Sequence, residues 1–241
     1  MKKSLFLIFI LFSVNANATL FQKAPSEVIF HSIGTFVRCN KATDKQYLQV
    51  KKQIPVWTKR YKEGVVDKFI DKVYLCGDSM EGQSKLQMHG FYDEEYKTIW
   101  LRYNKNIARI ELTFHHELSS YILRNMKKQE RALFYQKWIK LNKSPYIPYT
   151  WNKHKDWRSF WEKGFIAAYS MSTFENDFNV VAQLYASEVG RRMMNKKKKM
   201  VHDNKIILQK LRMVAELYKK YLTKEVNHDK TIGWINNEKV Q

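Results

Sequence analysis

Hydrophobic positions change period along the chain. Asp71-Lys72-Val73-Tyr74-Leu75-Cys76 is a short β-prone run closed by the turn signal Gly77-Asp78. Residues 87–92 and 97–103 read as two further strands. The polar Asp93-Glu94-Glu95 between them predicts a hairpin. Upstream, residues 44–63 mix apolar and basic positions and predict a helix broken near Pro55. After Asn104 the spacing becomes helical. Ile107, Ile110, Phe114, Leu118 and Tyr121 form one stripe; Leu133, Tyr135 or Gln136, and Ile139 form a weaker one. Phe178, Val181, Tyr185 and Val189 form a third, and Ile207, Leu211, Val214, Tyr218 and Tyr221 the clearest. A small mixed front half with a hairpin, followed by a mainly helical back half, indicates the α+β class. Neither an internal repeat nor a Pro- or Gly-rich linker interrupts the chain, so residues 19–241 read as one domain.

The first eighteen residues follow another logic. Lys2 and Lys3 precede an apolar run from Leu5 to Phe12, and Ala16-Asn17-Ala18 places small residues two apart. This is the pattern of a secretory signal peptide cut after Ala18. The run is about half of the roughly 20 residues that span a bilayer, so no transmembrane anchor is expected. The expected destination is the periplasm or the extracellular space. An oxidising compartment would allow Cys39 and Cys76 to pair; two buried thiols are the other reading.

Composition narrows the classes. Apolar residues make up 44% of the 241 residues, too many for a disordered chain despite a net charge of +20. Eight Gly and four Pro argue against a turn-rich sandwich. The charge makes anionic envelope polymers attractive partners. No nucleic-acid module is present, and the aromatics fall on core stripes rather than among basic residues. The run Lys196–Lys199 reads as a solvated loop between helices.

The richest segment is Thr113-Phe114-His115-His116-Glu117-Leu118-Ser119-Ser120. At 100° per residue, Phe114 and Leu118 share one face, and His116 lies on another with Leu112, Ser120 and Leu123. A helix apolar on two faces is buried between layers. A His–Glu pair there is costly unless it is hydrogen-bonded or binds a metal. A His-Glu helix with a second His one turn on is a zinc-peptidase signature, in which two imidazoles at i and i+4 grip zinc and the Glu is the base. His116 and Glu117 fit it. Ser120 stands where the second His belongs, and His115 points about 100° away. A satisfied buried His–Glu pair is the plain alternative.

Three further segments complete the pattern: the strand 97–103 just before the helix, Gly164–Ser170 containing Tyr169, and Phe174-Glu175-Asn176-Asp177-Phe178-Asn179 opening another helix. Over roughly residues 70–190 the order resembles the gluzincin metallopeptidases of the lethal-factor-like type and related bacterial metallopeptidases. The resemblance implies a zincin-like fold acting on a peptide or protein substrate with zinc as cofactor. It implies His116 and either Glu175 or Asp177 as metal ligands, Asn176 being the other candidate in that segment. Glu117 would be the general base, and Tyr169 would stabilise the oxyanion. A further ligand would have to come from elsewhere, with His154 and His202 as candidates. Read without the resemblance, Tyr169 is a core tyrosine, and Glu175 and Asp177 are acids favouring a helix N-terminus. The functions in competition are a zinc hydrolase, inactive if Ser120 cannot replace the imidazole, and a non-catalytic binding protein using the same cleft.

Overall fold

A computed structural model describes residues 20–25, 28–32, 35–82, 87–147, 157–227 and 233–236. The expected signal peptide and His154 lie outside the described residues. The strands are β1 (Phe21–Lys23), β2 (Val28–Ser32), β3 (Thr35–Lys41), β4 (Lys72–Gly82), β5 (Gly90–Asp93) and β6 (Thr98–Arg102). They form one mixed sheet ordered β2-β3-β4-β6-β5, with β1 pairing beside β4. β4 is the organiser. Its first half takes β1 and β6 in parallel, and its second half takes β3 antiparallel. The run read as ending at Gly77 therefore continues to Gly82, because β3 supplies a second partner along its length.

Alternation assigns the two faces of the sheet. Val73, Leu75, Ile99 and Leu101 face the main core, together with the helices. Cys76, Met80 and Trp100 face a smaller cluster with Cys39, where Tyr74 stacks on Trp100. Cys39 on β3 and Cys76 on β4 are joined in a disulfide across the β3–β4 pair.

Three short helices, α1 (Asp44–Lys51), α2 (Ile54–Thr58) and α3 (Val65–Phe69), separate β3 from β4. α1 opens on a capping box made by Thr43 and Gln46. The break falls near Pro55 as read, just before Ile54. Pro55 lies in the first turn of α2, where its missing N–H costs nothing.

Beyond β6 the described chain is helical: α4 (Ile107–Arg124), α5 (Lys128–Ile139), α6 (Trp157–Trp161), a 3₁₀ turn (Ala168–Met171), α7 (Phe174–Ala186), α8 (Glu188–Lys196), α9 (Lys198–Asp203), α10 (Lys205–Tyr218), α11 (Lys224–Asn227) and α12 (Gly233–Asn236). The stripe on α4 is core as read: Ile110, Phe114, Leu118 and Tyr121 are buried. The weaker stripe on α5 is not. Leu133 and Tyr135 are exposed, and the helix turns Trp138 and Phe134 inward instead. Lys196–Lys199 is no open loop, since α8 and α9 meet end to end at Lys197. No helix among the described residues is long and apolar enough to cross a membrane.

The architecture is α+β. α4 lies against β5 and β6 on one side and against α7 on the other. This sandwiched position is what two apolar faces on one helix require.

Candidate functional site

α4 is capped by Asn106, whose side chain accepts from the Ala108 amide. Its polar residues are thereby set on a face that looks across β5 and α7. Between these elements lies a cavity of about 480 Å³. His116, Glu117 and Tyr169 all line it, as do Thr113, Gln183 and Val180. Residues 87–90 form the opposite wall, ending at Gly90 on β5. The strand at the cleft is β5, the outer partner of β6. β5 comes this close because Gly90 has no side chain. A Cβ there would lie 2.3 Å from Thr113 Cγ2 and 2.8 Å from Glu117 Oε1.

Glu117 is buried and accepts no hydrogen bond from any described residue. Loss of water, reinforced by the negative charge of Glu175, pushes its carboxyl up to about 8, so it is largely protonated at neutral pH. His116 sits partly open to the cleft, its ring 5.9 Å from that of Tyr169. Its Nδ1 is 2.9 Å from Gln183 Oε1. With that carbonyl as acceptor the proton is on Nδ1 and Nε2 is bare. Burial holds the imidazole down at about 4, against the smaller upward pull of Gln183. His115 is wholly buried, with Nδ1 2.8 Å from the Tyr61 hydroxyl, and belongs to the core.

The two acidic candidates lie elsewhere. Neither Glu175 nor Asp177 lines the cavity. Asp177 is fully buried, and its Oδ2 accepts from Lys210 Nζ at 2.6 Å, Trp138 Nε1 at 2.8 Å and the Tyr146 hydroxyl at 3.0 Å. That oxygen is committed to fastening α5 and α10 to α7. Glu175 accepts from Arg124 Nη2 at 3.0 Å and from the Tyr92 hydroxyl at 2.8 Å. Asn176 is the third residue of α7 and receives its cap from Thr173. His202 is exposed on α9 and lies off the cavity. The structure thus brings together His116, Glu117 and Tyr169, and leaves Glu175 and Asp177 in separate networks.

Two residues not singled out in the sequence complete the picture. Asn179 Nδ2 donates to Ser120 Oγ at 2.7 Å, and Asn179 Oδ1 accepts from Ser119 at 2.6 Å. Gln183 partners His116. Across the α4–α7 contact the pairs run His116–Gln183, Ser120–Asn179, Arg124–Glu175. Each step is four residues forward on one helix and four back on the other. The two helices are buttoned by three polar rungs.

This donor set does not fit zinc. Structural and catalytic zinc sites take three or four N, S or O⁻ donors about 2 Å from the ion. Here the i+4 position offers a neutral hydroxyl that already accepts an amide N–H, and the facing residue turns an NH₂ toward it. The next rung is a second neutral amide. Among the described residues no group of three or more His, Cys, Asp or Glu side chains is placed to hold a metal.

A second, largely apolar cavity of about 310 Å³ adjoins the first, sharing Leu112, Ala167, Val180 and Gln183 with it. Trp161, Ile166 and several methionines of α8 and α9 form its walls.

No family model matches the chain, and no curated protein matches it. Among solved structures, the chain is similar to a protein from Bacteroides caccae described as a "putative zinc-binding metallo-peptidase". The TM-score is 0.53 at 18% sequence identity, covering 93% of this chain and 87% of that one. The two chains thus share a fold. At this identity the likeness speaks for the fold alone.

Proposed function

We propose that this chain is an exported peptide-binding protein on a metallopeptidase fold, in which the cleft is kept and the metal centre has been replaced. The observation that carries this reading is the Ser120–Asn179 hydrogen bond, formed where a second imidazole and a facing carboxylate would be needed. Support for a peptide ligand comes from β5. It pairs only with β6 among the described strands, and the wall leading into it lines the cavity. An extended chain laid there can continue the sheet through main-chain hydrogen bonds. The basic start, the small-residue cut at Ala18 and the Cys39–Cys76 disulfide support export.

Retained zinc-dependent hydrolysis is the second reading. It is favoured by one observation, that His116, Glu117 and Tyr169 share a single cavity. One experiment separates the two. The protein is treated with a chelator, and unstructured peptides are followed both for binding and for cleavage by mass spectrometry. Binding unchanged by the chelator, without cleavage, supports the first reading. Cleavage that zinc restores and Glu117→Gln abolishes supports the second.

A further inference from the structure

The main cleft has two unlike ends. At one end Arg102 donates to Gln87 Oε1 at 2.6 Å and its Nη2 lies 2.7 Å from His89 Nδ1, so it braces the rim. Arg109 lines the same cavity from the first turn of α4. No carboxylate among the described residues forms an ion pair with Arg109, and that first turn carries no acid. The helix dipole therefore adds to a local positive charge instead of being offset. The crowding is felt by the neighbours. After burial itself, the charge of Arg109 helps hold Arg102 below its usual range, while Asp78 pulls the other way. His89 is lowered by burial and then by both arginines.

At the other end the cleft opens into the apolar side cavity, past Leu112, Ala167 and Val180. Arg109 and Leu112 are three residues apart on one helix. At that spacing the two are neighbours on the helix surface.

We propose that the cleft receives the C-terminal residue of a peptide, its α-carboxylate at Arg109 and its bulky apolar side chain in the side cavity. The inference rests on the peptide-binding reading and deepens it. A terminal carboxylate supplies the counter-charge that Arg109 lacks among the described residues. Guanidinium groups are suited to hold it by paired hydrogen bonds. The methionine walls suit a large apolar group without demanding one shape. The preceding residues of the peptide would run along β5.

The test uses the full chain and peptides of four alanines followed by phenylalanine, labelled at the N-terminus and read by fluorescence anisotropy. The free acid is expected to bind at least about tenfold tighter than its C-terminal amide, and tighter than the same peptide ending in alanine. Arg109→Gln should erase the acid–amide difference. Ala167→Leu or Val180→Phe, which grow into the side cavity, should erase the preference for phenylalanine over alanine. Equal binding of acid and amide would overturn the C-terminal proposal and leave peptide binding standing. No binding of any peptide would overturn both. Tighter binding of a labelled dodecanoate than of the peptide acid would show that the carboxylate belongs to a lipid, and would overturn the proposal as well.

Discussion

Asn179 hands an amide proton to Ser120 at 2.7 Å, from the helix that faces the His-Glu turn. Both side chains are buried. The bond closes the space between α4 and α7 with neutral groups, where a cation would need donors.

Asn179→Ala should therefore destabilise the fold by about 2 kcal/mol, since it leaves the Ser120 hydroxyl buried without its partner, while Ser119 keeps the His116 carbonyl. Urea denaturation followed by circular dichroism measures this. An effect below about 0.5 kcal/mol would show that the rung contributes nothing.

Combining Ser120→His with Asn179→Asp replaces that rung with two metal donors beside His116. The double variant should bind zinc at one equivalent, whereas Ser120→His alone should gain little, because Asn179 still presents its amide. Isothermal titration calorimetry checks it. Tight zinc binding by Ser120→His alone would show that Asn179 is no obstacle.

The His-Glu helix, the hairpin and the helical back half were legible from the sequence because each rests on a local period or a local motif. Asn179 and Gln183 were not. A neutral amide on a helix reads as surface, and only its facing partner reveals its role. The signal available was numerical: Glu175, Asn179 and Gln183 repeat the spacing of His116, Ser120 and Arg124 in reverse. The resemblance implies Glu175 or Asp177 as a ligand, and Asp177 has a counter-ion of its own. Lys210, fully buried between Ile207 and Leu211, is that counter-ion, and a lysine inside an apolar stripe was the clue. The roles of β4 and of the β5 edge depend on long-range pairing, which no local window carries.

Lys210→Met should be costly for the same reason. It strands the Asp177 carboxylate in the core with only the Trp138 and Tyr146 donors, a loss of about 3–5 kcal/mol. Adding Asp177→Asn should recover part of it. Equilibrium unfolding of the single and double variants decides; a single variant within 1 kcal/mol of the parent would contradict the network.

Glu117 makes a pH prediction. Its folded value, about 8, lies above the ordinary 4.5, so the folded state holds a proton that the unfolded state releases. Its contribution is favourable at low pH. It weakens as pH rises from about 4.5 and is fully lost above about 8, at up to about 1.4 kcal/mol per pH unit. Glu117→Gln, neutral at every pH, should remove that slope. The stability difference between variant and parent, measured from pH 4 to 9, should grow in the variant's favour with rising pH. A pH-independent difference would mean that the carboxyl is ionised and solvated.

Gly90→Ala should push β5 off α4, because the added carbon meets Thr113 and Glu117. A loss of about 1–3 kcal/mol is expected, along with faster amide exchange in residues 90–93. Unchanged exchange there would show that the wall is free to yield.

Direct metal analysis tests the central claim most simply. The protein is produced without a His tag, purified without added zinc, and then dialysed against one equivalent of zinc with exchange into buffer. The account predicts far less than one zinc per chain before and after, with the His116→Ala variant indistinguishable from the parent. One tightly held zinc per chain, lost in His116→Ala, would contradict it and return the cleft to a metal centre.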